Sequence, residues 1–110
     1  MRTEILTPTN ASIEEAGELI RSGELVAIPT ETVYGLGGNA LDPEAIEKIF
    51  AAKNRPHDNP LIAHVHSGFD LSKIIDYDPP YAKKLREAFL PGPLTLVYPS
   101  TGKVSPYVSC

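Results

Sequence analysis

Short apolar runs bounded by proline alternate in this chain with stretches whose apolar residues recur every three or four positions. Residues 25–28 (Leu-Val-Ala-Ile) form a continuous apolar run closed by Pro29, the pattern of a strand covered on both faces. Residues 60–65 repeat that buried-strand pattern, and residues 94–98 form a further strand pattern after the turn Pro91-Gly92-Pro93. Between the runs lie helix signals. Ser12 to Glu15 has capping-box spacing, Ile13, Ala16, Leu19 and Ile20 then share a face, and Ser22-Gly23 supplies a stop. Asp42-Pro43 reads as an N-cap with proline at the first helical position, followed by the stripe Ile46, Ile49 and Phe50. Asp78-Pro79 opens a third helix carrying Ala82, Leu85, Ala88 and Phe89. The eleven prolines act as punctuation between short elements. Helix and strand alternating in this way imply an α/β sheet with helices packed on it. From residue 99 to 110 only turn residues are read, with no closing element.

At 110 residues the chain is one domain, able to bury a core without disulfides or structural metal. A formal charge of -4 argues against nonspecific nucleic-acid binding, which needs a basic surface, so any anion site must be local. The single cysteine, Cys110, gives neither a disulfide framework nor a cysteine-based zinc site. No stretch has the length of a signal peptide or a membrane span, and a cytoplasmic location with no membrane partner is expected.

The segment from Pro29 to Gly38 places two threonines, a carboxylate, a phenol and three glycines within ten residues after a strand. A polar, glycine-rich loop at that position is where an α/β protein holds a small ligand. Gly35, Gly37 and Ala40 also stand at dinucleotide-fingerprint spacing, but six residues separate the strand from the first glycine and the helix signal waits until Asp42. The bland alternative is a tight crossover whose glycines supply only backbone freedom and whose Thr30 and Thr32 bond to the main chain.

Lys53 and Arg55 stand two apart where helical periodicity ends, within Lys53-Asn54-Arg55-Pro56-His57-Asp58-Asn59-Pro60. In an extended segment alternate residues share a side, so the ammonium and guanidinium would converge on one polyphosphate. The competing reading is a solvated helix C-terminus, where cations favour the macrodipole. His64 and His66 alternate on the expected strand, yet no third ligand has diagnostic spacing, so no protein-built metal site is expected. His64 is the better candidate for a ligand contact. No Ser-His-Asp, Cys-His or paired-carboxylate arrangement has persuasive spacing, which leaves positioning and electrostatics as the catalytic means of any enzyme built here.

Three motifs in order, Pro29-Thr30-Glu31-Thr32-Val33-Tyr34-Gly35-Leu36-Gly37, Lys53-Asn54-Arg55-Pro56 with Asn59-Pro60-Leu61, and Pro91-Gly92-Pro93-Leu94-Thr95, resemble the YrdC-like family of threonylcarbamoyl-AMP synthases. The resemblance covers nearly the whole chain. It implies a YrdC-like fold, a twisted mixed sheet with helices packed on it, with residues 1–110 forming a single domain that lacks its C-terminal part. The implied reaction makes threonylcarbamoyl-AMP and pyrophosphate from L-threonine, bicarbonate and ATP. Its product is used by the proteins that form threonylcarbamoyladenosine in tRNA.

By similarity, Thr32 and His64 contact threonine. Lys53 and Arg55 serve as catalytic cations and hold ATP together with Asn59, Mg2+ is expected beside the phosphates, and Ser109 is a further nucleotide candidate. Members of the family carry a later arginine-containing strand and a Ser-x-Asn segment, neither of which is found here. The alternatives are a noncatalytic RNA- or nucleotide-binding relative and an inactive fragment.

Overall fold

The computed structural model describes residues 2–56, 60–99 and 101–109. Among the described residues four α-helices, α1 (Asn10–Arg21), α2 (Pro43–Lys53), α3 (Pro80–Phe89) and α4 (Pro106–Ser109), and a 3-10 turn (Leu71–Lys73) accompany two strands, β1 (Val26–Ile28) and β2 (Gly35–Gly37). The strands pair antiparallel, with Val26 opposite Gly37, Ala27 opposite Leu36 and Ile28 opposite Gly35. Helices beside a small sheet agree with the expected α/β class.

Local chemistry accounts for most element ends. The α1 cap is Thr9, whose hydroxyl oxygen accepts the Ser12 N–H at 3.1 Å, three residues before the expected capping box. Thr9 wins because its extended backbone leaves the hydroxyl facing the orphan amides of the first turn. Gly23, at φ 89, follows the Ser22 cap and supplies the left-handed residue at which α1 stops. For α2 the expected start holds: the Asp42 carboxylate accepts the Glu44 N–H at 3.0 Å and Pro43 occupies the first helical position. The helix ends at Asn54, whose φ of 49 and ψ of 42 turn the chain back. Before α3, Pro79 is the cap and makes no side-chain bond, while Asp78 faces Arg86 instead.

The core sits on α2. Ile46, Ile49, Phe50 and Val108 are buried together, with Leu25, Leu36, Leu61 and Val104 packed around them. Phe50 is only 1 % exposed. Its ring meets Tyr107 edge-on at 5.9 Å between centroids, and Glu47 accepts the Tyr107 phenol hydrogen, holding that pKa above its ordinary value. The short helix α4, unforeseen in residues 99–110, therefore closes the core. Its first turn is fixed by Ser105, whose hydroxyl oxygen accepts the Tyr107 N–H at 3.2 Å.

The strand expectations diverge. Residues 60–65 and 94–98 form no ladder, and among the described residues the sheet has only β1 and β2. Covering on both faces also fails for β1, where Ala27 and Ile28 are exposed. A strand pattern expresses side-chain preference, whereas a strand needs a neighbour to satisfy its amides and carbonyls. Among the described residues the backbone of 60–65 makes one backbone–backbone bond, from the Leu61 N–H to the Val108 carbonyl at 3.2 Å.

Candidate functional site

The motif at residues 29–37 folds as a hairpin, and its glycines Gly35 and Gly37 belong to β2. Thr30 organises the connection. Its hydroxyl donates to the Val33 carbonyl in a short bond and accepts the Thr32 N–H at 3.4 Å, so one side chain ties both ends of the turn that displays Thr32. Thr32 itself, with Glu31 and Tyr34, is exposed. The hairpin excludes the dinucleotide geometry, in which glycines open a helix. It also gives Thr30 the main-chain bonding of the bland reading.

Lys53 is exposed in the last turn of α2, where its charge favours the macrodipole. The expected alternation of Lys53 and Arg55 along an extended segment does not occur. Asn54 is left-handed, and the Arg55 N–H returns to the Phe50 carbonyl at 3.0 Å, so the chain reverses between the two cations. Arg55 is half-buried, and its Nη2 donates to the Pro60 carbonyl at 2.7 Å, closing the loop that contains Asn59. Asn59 lies outside the described residues. Because Leu61 bonds to Val108, the same place receives the end of α4 and Ser109, whose exposed hydroxyl reaches only its own Pro106 carbonyl at 3.5 Å.

His64 is exposed on the unpaired segment. His66 is engaged locally, its Nδ1 accepting the Gly68 N–H at 3.1 Å and its ring meeting Phe69 edge-on. The structure thus joins Arg55, Pro60, Leu61 and the α4 end through described contacts, while Thr32 and His64 share none with that group. Among the described residues no group of three or more His, Cys, Asp or Glu is placed to hold a metal.

A second polar cluster escaped the sequence reading. Arg86 on α3 donates from Nη1 and Nη2 to the two Asp78 oxygens at 2.6 and 2.5 Å, and from Nη1 to the Tyr98 hydroxyl at 2.9 Å. The guanidinium holds the Asp78 carboxyl below the usual carboxylate range, and burial pushes the Tyr98 phenol up. Its signal was Asp78 ahead of two prolines and an arginine eight positions on, which only the three-dimensional path brings together. Cavities of about 390 and 500 Å3 flank this cluster, lined in part by Phe69, Asp76, Asp78 and Arg86 and by Tyr77, Tyr81 and Leu96 respectively. None of Thr32, Lys53, Arg55, His64 or Ser109 lines either one.

The third motif is a tight bend. The Leu90–Pro91 peptide is cis, and a Cβ on Gly92 would collide with the Phe89 carbonyl oxygen. Glycine is required there by the chain's own close approach. No described helix is long and apolar enough to cross a membrane.

The Sua5/YciO/YrdC family model, described as "Telomere recombination", matches residues 18–109. The threonylcarbamoyl-AMP synthase of Pyrococcus abyssi is 54 % identical over 89 residues, covering 81 % of this chain and 26 % of that protein. That of Bacillus subtilis is 46 % identical over 97 residues, covering 88 % and 28 %. The crystal structure of P. abyssi Sua5 complexed with L-threonine superposes with a TM-score of 0.83 at 48 % identity, over 94 % of this chain and 30 % of that one. The chain spans between a quarter and a third of the length of these relatives. With its three motifs in order and its fold in common, the chain belongs to the Sua5/YciO/YrdC family.

Proposed function

We propose that this chain is the threonine- and ATP-binding part of an L-threonylcarbamoyladenylate synthase. The observation that carries the reading is the likeness to a threonine-bound Sua5 over 94 % of the chain, and the family match over residues 18–109 takes in the Thr30-braced hairpin. In the proposed reaction the threonine amine takes up the carbon of bicarbonate to form a carbamate, with loss of water. A carbamate oxygen then attacks the α-phosphorus of ATP, and pyrophosphate leaves with the electron pair of the broken P–O bond. Proteins that modify tRNA use the product.

Thr32 and His64 are assigned to threonine, the former on a turn braced by Thr30. Lys53, Arg55, Asn59 and Ser109 are assigned to the nucleotide. The two cations offset the charge that builds on the phosphates during transfer, which is electrostatic rather than covalent catalysis. The Arg55–Pro60 bond supports this role because it preorganises the loop ahead of nucleotide arrival. A net charge of -4 disfavours the RNA-binding alternative for this chain.

Pyrophosphate release from ATP, measured with and without L-threonine and bicarbonate, tests the proposal. Release that requires both supports it, and threonine-independent or absent release overturns it for this chain. Arg55→Ala is expected to weaken ATP binding by about 1.5–3 kcal/mol, the worth of a charged hydrogen bond. Thr32→Ala is expected to weaken threonine binding with little effect on ATP, and calorimetry of each ligand separates the two.

A further inference from the structure

The peptide group between Pro60 and Leu61 is held at both ends. Its carbonyl accepts from Arg55 Nη2 at 2.7 Å, and its N–H donates to the Val108 carbonyl of α4 at 3.2 Å. A peptide group is planar and resists twisting, so its carbonyl and its N–H turn together. The Arg55 guanidinium and the backbone of α4 are therefore two ends of one hydrogen-bonded chain that passes through a rigid link. A guanidinium is a rigid fork of five donors, so fixing one of them orients the rest.

Helix α4 rests in turn on Ser105. Among the described residues this is the one buried polar side chain, at 4 % exposure. Its hydroxyl oxygen accepts the Tyr107 N–H at 3.2 Å, and its carbonyl accepts the Val108 N–H at 2.9 Å. Four residues are too few to hold a helical turn by propagation. The cap bond and the burial of Val108 on α2 decide where the Val108 carbonyl points. Apolar packing closes the core without regard to direction, whereas the bonds of Ser105 supply direction.

We infer that Ser105 is a positioning residue for Arg55, an assignment that rests on Arg55 binding ATP. By fixing the first turn of α4, Ser105 sets the Pro60–Leu61 plane and, through it, the direction in which the guanidinium meets the nucleotide. Threonine binding lies outside this chain of bonds, because the turn that displays Thr32 is braced by Thr30.

Calorimetric titration with ATP and, separately, with L-threonine tests the role in the 110-residue chain, in Ser105→Ala, in Arg55→Ala and in the double variant, at a temperature where circular dichroism shows each one folded. Ser105→Ala is expected to weaken ATP binding about fivefold, the worth of one cap hydrogen bond, with threonine binding unchanged and ATP affinity restored in Ser105→Thr. In the Arg55→Ala background the same substitution is expected to have no further effect on ATP, since the group it positions is gone. The Leu61 amide is expected to exchange faster in Ser105→Ala than in the wild type. Should Ser105→Ala fail to fold, Tyr107→Phe takes its place with the same expected pattern, keeping the ring against Phe50 and losing the phenol bond to Glu47. An equal loss of ATP affinity in both backgrounds, an equal loss for ATP and threonine, unchanged ATP binding or unchanged Leu61 exchange overturns the positioning role. Absence of ATP binding by the wild-type chain overturns the nucleotide assignment of Arg55 and the positioning role with it, whereas ATP binding that ignores Ser105 overturns only the latter.

Discussion

Thr30 has a single hydroxyl that serves two main-chain groups, the Val33 carbonyl and the Thr32 N–H. Valine keeps the side-chain shape and removes both bonds. Thr30→Val is therefore expected to weaken threonine binding by about 0.5–1.5 kcal/mol, the net worth of a hydrogen bond, while Thr30→Ser restores it. Threonine titration by calorimetry checks the binding. Exchange of the Thr32 amide checks the turn without any ligand, and unchanged exchange in Thr30→Val contradicts the bracing role. At this scale the sequence was legible in kind but not in place. The motif singled out Thr30 and Thr32 together, yet nothing in the order of residues says which hydroxyl turns inward to the backbone and which is displayed. Arg55 carries the same lesson, since its side chain closes a loop onto Pro60 through a turn that only the left-handed Asn54 creates.

Among the elements, α2 was the most readable because its determinants are local. Asp42, Pro43 and the stripe Ile46, Ile49 and Phe50 each act within one or two turns, and all appear as read. Residues 60–65 and 94–98 were legible as β-forming and not as β-formed, because pairing depends on a partner distant in sequence. Helix α4 was missed for the opposite reason: four residues after a Ser-Pro step carry too little periodicity to register, and burial of Val108 against α2 decides their structure. Phe50 joins these elements, so Phe50→Ala is expected to cost about 3–5 kcal/mol, enough to unfold a domain of marginal stability. Urea denaturation followed by circular dichroism measures it. A cost below 1 kcal/mol means that the α2–α4 packing is not the core.

For the molecule as a whole, the Asp78–Arg86–Tyr98 cluster ties the entry of α3 to the segment after the Gly92 bend. Arg86 lowers the Asp78 pKa in the folded state, so the unfolded chain takes up the proton more readily. The resulting stability is fully present above the unfolded carboxyl value of about 3.9 and is lost as pH falls through the lower folded value. Asp70, held low by its bonds to Ser72, has the same sign. Urea midpoints for the wild-type chain are expected to fall below about pH 4, and Asp78→Asn to flatten part of that fall. An unaltered slope in the variant removes the ion pair from the acid response.

The bond from Leu61 to Val108, with the packing of Val108 on Phe50, joins positions separated by almost half of the chain. Closing so long a loop carries its entropic cost before any reward from the core. Contacts of such sequence separation raise the contact order, which is associated with slower folding. During synthesis, α1 and the hairpin emerge early but have no finished core to join. Leu25, Leu36 and Leu61 can cover part of the α2 face earlier, but the cover is complete only when Val104 and α4 have left the ribosome.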